Sequence, residues 1–280
     1  MKEFCLQDKL CVITGAGGIL CSAFARAVAA CGAKVALLDL NLERAKQVAG
    51  EIEQSGGKAL PVLCNVLDKD SLCAAKKVIH DTFGPIDILI NGAGGNNPRG
   101  TTDKEFFEAG DLDKEELKTF FNLDPEGIRF VFDLNFLGTL LPTQIFAEDM
   151  ARNRAGVILN VSSMNAFTPL TKIPAYSAAK ASVSNFTQWL AVHFAGVGIR
   201  VNAIAPGFFI TAQNHDMLIN PDGSYSKRAE KILTNTPMAR FGEPDELLGT
   251  VLYLLDDKFS GFVTGVVVPV DGGFSAYSGV

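Results

Sequence analysis

The sequence predicts a doubly wound α/β domain, and three observations carry that prediction. Short apolar runs alternate with helical stretches throughout the 280 residues. The first run opens into a glycine turn and then a helical pattern. The second run ends on an acid. Alternation of this kind builds a parallel sheet with right-handed crossovers and helices on both faces. Ligands of such a sheet bind at the carboxyl ends of its strands.

Leu10 to Thr14 (LCVIT) is a short, β-branched apolar run that reads as a buried strand. It leads into Gly15-Ala16-Gly17-Gly18, and a helical pattern follows from Ile19 to Cys31. Strand, glycine turn and helix together set backbone N–H groups and a helix N-terminus against a pyrophosphate. The next strand, 33–38, ends at Asp39, 24 residues past Gly15. A carboxylate there accepts hydrogen bonds from both hydroxyls of an adenosine ribose. It repels a 2′-phosphate by ~4 kcal/mol per charge pair at ~4 Å, with an effective dielectric near ~20. Leu40 and Asn41 bring no cation to offset this, and Arg44 is expected one helical turn into the next element. NAD(H) is therefore expected over NADP(H), a preference that survives if Asp39 is merely a helix cap. Further strands are expected at 59–63, 86–90, 156–161, 199–204 and 265–270. Helical stretches AAKKVIHDTF and KASVSNFTQWLAVHF precede the fourth and sixth strands.

The chemistry is concentrated in AYSAAK. Tyr176 and Lys180 are four apart, so on a helix they share one face. Free tyrosine ionises near pH ~10, too high for acid–base work at neutral pH. A neighbouring ammonium is expected to lower it. Ser163, thirteen residues upstream of Tyr176, can hold a substrate oxygen against the phenol. Taken alone, the pair reads first as an interfacial tyrosine and a solvated lysine; the motifs around it reverse that in favour of the catalytic reading.

Those motifs resemble the short-chain dehydrogenase/reductase family over nearly the whole chain. The cofactor turn is Thr14-Gly15-Ala16-Gly17-Gly18-Ile19-Leu20-Cys21, and Asn91-Gly92-Ala93-Gly94 matches the motif after the fourth strand. Asn135 in FDLNFLG matches the family's helix asparagine, which holds a water in its proton relay. Ser163, Tyr176 and Lys180 match its catalytic serine, tyrosine and lysine, the last two also touching the cofactor. Pro206, Gly207, Phe209 and Thr211 in APGFFIT match the loop that binds the nicotinamide carboxamide. The resemblance implies one Rossmann-type domain over 1–280, with about seven strands, and a homotetramer. Two departures stand out. Ile19 and Cys21 replace family glycines, and Cys21 near a helix start is either a thiol of lowered pKa or an inert, packed one. Asn65, followed by Val66, stands where an acid commonly meets adenine.

Between 96 and 132 the chain is longer than the family norm. Such an insertion either shapes the substrate pocket or is a solvated excursion, the second being expected of DLDKEELK. Asn96, Asn97 and Arg99 follow the cofactor glycines, and Arg99 is a candidate fork for a carboxylate. Asn165, Lys172 and Gln213-Asn214-His215 are expected to rim the same cleft. So many amides, with one or two cations, suit a polyhydroxylated acid. The stretch FFNLDPEGIRFVFDLNFLGTLLPTQ and the tail FVTGVVVPVDGGFSAYSGV resemble the D-mannonate oxidoreductase (fructuronate reductase) branch. That resemblance implies interconversion of D-fructuronate and D-mannonate. Another keto acid such as 5-ketogluconate, or a silent dinucleotide-binding regulator, is the alternative.

Composition sets outer limits. A net charge of −6 offers no basic stripe for nucleic acid. Six cysteines (Cys5, Cys11, Cys21, Cys31, Cys64, Cys73) without a C-x-x-C pair read as reduced cytoplasmic thiols. His80, His193 and His215 show no metal-ligand spacing, and no metal is expected. No run of ~20 apolar residues suggests a membrane span, and the polar start suggests no signal peptide. The tail and the helix around Phe186 and Trp189 are either subunit interface or internal core.

Overall fold

In the computed structural model, which describes residues 3–211 and 215–279, seven strands form one sheet. They are β1 Leu10–Thr14, β2 Lys34–Asp39, β3 Lys58–Leu63, β4 Ile88–Asn91, β5 Gly156–Val161, β6 Ile199–Pro206 and β7 Val267–Val270. The spatial order is β3-β2-β1-β4-β5-β6-β7, with every neighbouring pair parallel. The order reverses between β1 and β4, which opens a ligand crevice at their carboxyl ends. The expected strand at 86–90 begins instead at Ile88 and runs on through Asn91.

The helices are α1 Ile19–Ala30, α2 Leu42–Gln54, α3 Lys69–Phe83, α4 Pro125–Phe132, α5 Gly138–Asn153, α6 Pro174–Phe194, α7 His215–Leu218, α8 Lys227–Thr234, α9 Leu248–Leu255 and α10 Asp257–Ser260. Alternation along each strand feeds two cores. Cys11 and Ile13 face Phe24 and Val28 of α1, Ile52 of α2 and Val251 of α9. Leu10 and Val12 belong to the opposite core, with Ile79 of α3, Phe146 and Met150 of α5 and Leu190 of α6. Phe24 and Phe146 are fully buried, each contributing roughly 1.5–3 kcal/mol. Polar ties cross the layers. Asp149 of α5 accepts from His80 Nε2 at 2.7 Å and from the Ile86 N–H at 3.2 Å. Burial works against that carboxylate, but these bonds and Lys76 outweigh it and hold its pKa below the ordinary value.

Between α4 and α5 the helix widens into a π turn at Asp133–Leu137, making one continuous helix over Pro125–Asn153. By length and mean hydropathy it is apolar enough to cross a membrane, although charged residues break it before ~20 apolar residues in a row, and half of its most apolar window is buried inside the fold. It packs against β4, β5 and α6 as a core helix.

The insertion is built from 3-10 turns at Pro98–Gly100, Ala109–Asp113 and Phe120–Asn122. The solvated reading of DLDKEELK needs correction at its first residue. Asp111 is 2% exposed and anchors the loop. It accepts from Lys104 Nζ at 2.9 Å, Lys114 Nζ at 2.9 Å and the Glu108 N–H at 3.0 Å. The two ammoniums, Lys104 foremost, hold its carboxyl well below the usual carboxylate range.

Candidate active site

The glycine turn joins β1 to α1. Gly15 sits at φ +67°, and a Cβ there would stand 2.9 Å from Ala93 Cα. Only glycine combines that conformation with so close an approach. The Thr14 hydroxyl accepts from the N–H groups of Gly92 and Ala93 at 3.1 and 3.2 Å, tying the two glycine loops together. Gly18 caps α1, whose first residues are Ile19 and Leu20. Asp39, at the end of β2, accepts from the Gly17 N–H and the Asn41 N–H, both at 2.8 Å. Its carboxylate is thus fixed at the rim of the turn, as an acid for a ribose must be. Arg44 lies closer than expected: it is in the first turn of α2, with its Cβ against Gly17.

Of the two readings of Cys21, the inert, packed thiol is the one found. It is buried, and burial pushes its pKa up to about 12, the opposite of activation. Asn65 is exposed at the end of β3 and its Oδ1 accepts from the Leu67 N–H at 3.0 Å, while Val66 is buried beside Gly138. Asn91 lies within the sheet, where its Nδ2 donates to Thr143 Oγ1 at 3.0 Å and Asn160 Oδ1 at 2.9 Å. It therefore fixes the strand end that carries Gly92, Ala93 and Gly94.

Three structural elements bring the candidate catalytic residues together. Ser163 follows β5 and its hydroxyl accepts from the Asn165 N–H at 3.3 Å. Tyr176 and Lys180 occupy the first two turns of α6, which Pro174 opens. Lys180 Nζ lies 5.8 Å from the Tyr176 ring centroid and donates to the Val161 carbonyl at 2.8 Å. The expected lowering of the phenol does not follow. Burial pushes the Tyr176 pKa up, opposed by a hydrogen bond with Ser163. Burial also brings Lys180 down to about 8, opposed by Cys21. The ammonium is spent on Val161 rather than on the phenol.

Asn135 sits in the π turn, a distortion common at functional sites. Its Oδ1 accepts from the Gly95 N–H at 3.2 Å, and its Nδ2 donates to the carbonyls of Gly95 at 2.7 Å and Val131 at 2.8 Å. A Cβ on Gly94 would lie 2.7 Å from Asn135 Oδ1 and 3.1 Å from Lys180 Nζ, so Asn135 and Lys180 flank that glycine. The loop after β6 closes the site. Gly207 N–H donates to the Val270 carbonyl at 2.9 Å directly after Pro206, Phe209 is buried, and the Thr211 carbonyl accepts from the His215 N–H at 2.9 Å.

The substrate candidates divide. Asn165 is 5% exposed, and its Oδ1 is buried without a hydrogen-bond partner beside Ser163. An unmatched buried acceptor costs roughly 1–3 kcal/mol, which a ligand hydroxyl would recover. Arg99 is turned to other use, since its Nη1 pairs with Asp124 at 3.2 Å. Asn96 Nδ2 donates to Thr101 Oγ1 at 3.2 Å, and the Asn97 side chain caps the following 3-10 turn. Gln213 and Asn214 lie outside the described residues. Sequence reading missed Val161 as the Lys180 partner, the π turn, and Glu105, which bonds Lys231 across the cleft. Only the long FDLNFLG helix hinted at the second.

The glycine cradle, fixed Asp39 and small residues flanking Lys180 fit a dinucleotide. Comparisons agree. The short chain dehydrogenase family model matches residues 9–220. An uncharacterized oxidoreductase of Haemophilus influenzae is 61% identical over 98% of this chain and 96% of its own. A crystal structure with bound NAD from Haemophilus influenzae, provisionally named a D-mannonate oxidoreductase, has TM-score 0.94 and 60% identity, covering 99% and 98% of the two chains. A gluconate 5-dehydrogenase from Burkholderia cenocepacia, in complex with NADP and tartrate, has TM-score 0.82 and 28% identity, covering 98% and 97%. The chain belongs to the short-chain dehydrogenase family and is one of its oxidoreductases.

Proposed function

We propose that the protein is an NAD(H)-dependent oxidoreductase that interconverts D-fructuronate and D-mannonate. The observation that carries the substrate class is the orphaned Asn165 amide oxygen beside Ser163 and Tyr176, a site for a substrate hydroxyl next to the reacting carbon. The 60% identity to the provisionally named D-mannonate oxidoreductase supports the particular sugar acid. Gly15, Gly17, Gly18, Ile19 and Leu20 would hold the pyrophosphate, Asp39 the ribose, Asn65 and Val66 the adenine side. Asn91, Gly92, Ala93, Gly94, Pro206, Gly207, Phe209 and Thr211 would line the nicotinamide half. When bound, the nicotinamide supplies or accepts the hydride.

The chain's own residues handle the proton. Ser163 and Tyr176 hold the ketone oxygen between two hydroxyls, and the phenol gives up its proton as the alkoxide forms. Burial keeps the phenol protonated, as the reductive direction requires, while making it a weaker acid than free tyrosine. Lys180, anchored on Val161, holds positive charge near the emptied phenolate. Asn135 fixes the Gly95 loop and would hold a relay water.

A second reading, reduction of 5-ketogluconate, draws on the likeness to the gluconate 5-dehydrogenase. Rates of NADH oxidation with each keto acid separate the two. Faster turnover of D-fructuronate supports the first reading, and preference for 5-ketogluconate replaces it.

The protein acts as a cytoplasmic homotetramer on this account. Phe136, Phe186 and Trp189 form a contiguous aromatic row, with ring centroids 5.5 and 6.2 Å apart, and Trp189 is 55% exposed. An exposed row of that kind suits a subunit contact. Free cysteines at all six positions fit a reducing compartment.

A further inference from the structure

Loops from the carboxyl ends of three adjacent strands converge on Glu105. The insertion after β4 carries Glu105 itself; the stretch after β5 carries Lys172, four residues before Tyr176; the segment after β6 carries Arg228 and Lys231 on α8. Lys231 Nζ donates to the Glu105 carboxylate, and the Phe106 ring centroid lies 6.0 Å from the same ammonium. The Thr102 N–H donates to the Lys172 carbonyl at 2.9 Å, binding the insertion to the stretch after β5. Lys172 is held at φ +70°, a left-handed conformation that costs a non-glycine residue roughly 1–3 kcal/mol and gathers at functional sites.

The charges around Glu105 do not balance. Hydrogen bonding from Lys231, with added attraction from Lys172 and Arg228, holds the Glu105 carboxyl below its ordinary pKa. One carboxylate thus feels three cations, of which only Lys231 bonds to it. Neither the Lys172 nor the Arg228 side chain has a hydrogen bond or ion pair among the described residues. Arg99, the cation expected to grip substrate, is already neutralised by Asp124. Positive charge without a bonded partner therefore gathers here, on the segment that leads into the helix of Tyr176, in a protein of net charge −6.

We propose that Lys172 and Arg228 bind the carboxylate of the sugar acid, with the Glu105–Lys231 pair fixing the wall that presents them. The reacting ketone then lies at Ser163 and Tyr176 and the carboxylate at the opposite end of the sugar chain. Charge-assisted bonds to a carboxylate select acids over neutral ketoses. This rests on the sugar-acid reading above.

The test compares D-fructuronate with its uncharged methyl ester for the wild type, Lys172→Met and Arg228→Gln. Unchanged NADH affinity, read by nicotinamide fluorescence, establishes that each variant is folded. The expected result is a KM for the acid raised about tenfold or more in each variant, with kcat within about threefold and the ester unaffected, a loss of ~1.4 kcal/mol or more. Equal losses on acid and ester, or no change on the acid, overturn the proposal. If the wild type ignores D-fructuronate, the substrate reading fails. The same comparison then runs on whichever keto acid is turned over, and a wild type that reduces no keto acid overturns the carboxylate site as well.

Discussion

The Cys21 sulfur occupies the space that a side chain at residue 92 would need: a Cβ on Gly92 would lie 2.1 Å from Sγ and 2.9 Å from the Thr14 carbonyl. The departure from a family glycine at residue 21 is therefore compensated by the glycine facing it. Gly92→Ala is expected to lower the melting temperature and weaken NADH binding at least ~tenfold, because overpacking costs roughly 1–3 kcal/mol. Cys21→Ala alone is expected to be mild. Combined with Gly92→Ala it should restore part of the loss, although the contact with the Thr14 carbonyl remains. A double-mutant cycle on stability reads this directly, and additive effects would contradict the steric pairing.

Asp39 is expected to set cofactor choice. Its carboxylate stands beside Arg44, which can meet a 2′-phosphate only once that negative charge is gone. Asp39→Ala should lower kcat/KM for NADH and raise the NADPH-to-NADH ratio by ~tenfold or more, given repulsion of up to ~4 kcal/mol per charge pair. Steady-state kinetics with both cofactors checks it. An unchanged ratio would remove Asp39 from ribose recognition.

Lys180 should make folding costlier at neutral pH. Its folded pKa is about 8 against an ordinary 10.5, because burial disfavours the ammonium. Between those values the unfolded chain holds a proton that the folded chain lacks, so stability rises with pH. The cost is complete below pH 8 and relieved by about pH 10.5, amounting to about 3 kcal/mol at most. Lys180→Met should abolish turnover yet unfold at higher denaturant than wild type at pH 7. That advantage should shrink as pH rises. Denaturation curves across pH decide, and a constant gap would contradict the burial argument.

The aromatic row predicts assembly. Trp189→Glu, changing a residue 55% exposed on α6, should shift the protein to a smaller species in sedimentation while leaving its far-ultraviolet dichroism intact. An unchanged mass would place the subunit contacts elsewhere.

What was legible in the sequence was local. β1, its glycine turn and α1 are consecutive, Asp39 ends the next strand, and Tyr176 and Lys180 share one helix. What escaped depends on pairs distant in the chain. Glu105 and Lys231 are 126 residues apart, and nothing in either segment names the other. Arg99 looked available because Asp124 approaches it only after the insertion folds back. Tyr176 shows a different limit. Its spacing from Lys180 is visible, but the partial burial that raises its pKa, and the Val161 carbonyl that takes the ammonium, are tertiary facts.

The most direct measurement is nicotinamide absorbance with Tyr176→Phe beside the wild type, using NADH and D-fructuronate, with NADH affinity recorded for both. Removing only the phenolic oxygen should cut kcat by ~100-fold to ~10⁴-fold, the range for lost general acid catalysis, while NADH affinity stays within about threefold. Turnover by the variant at the wild-type rate would contradict the assignment of Tyr176 as the proton donor.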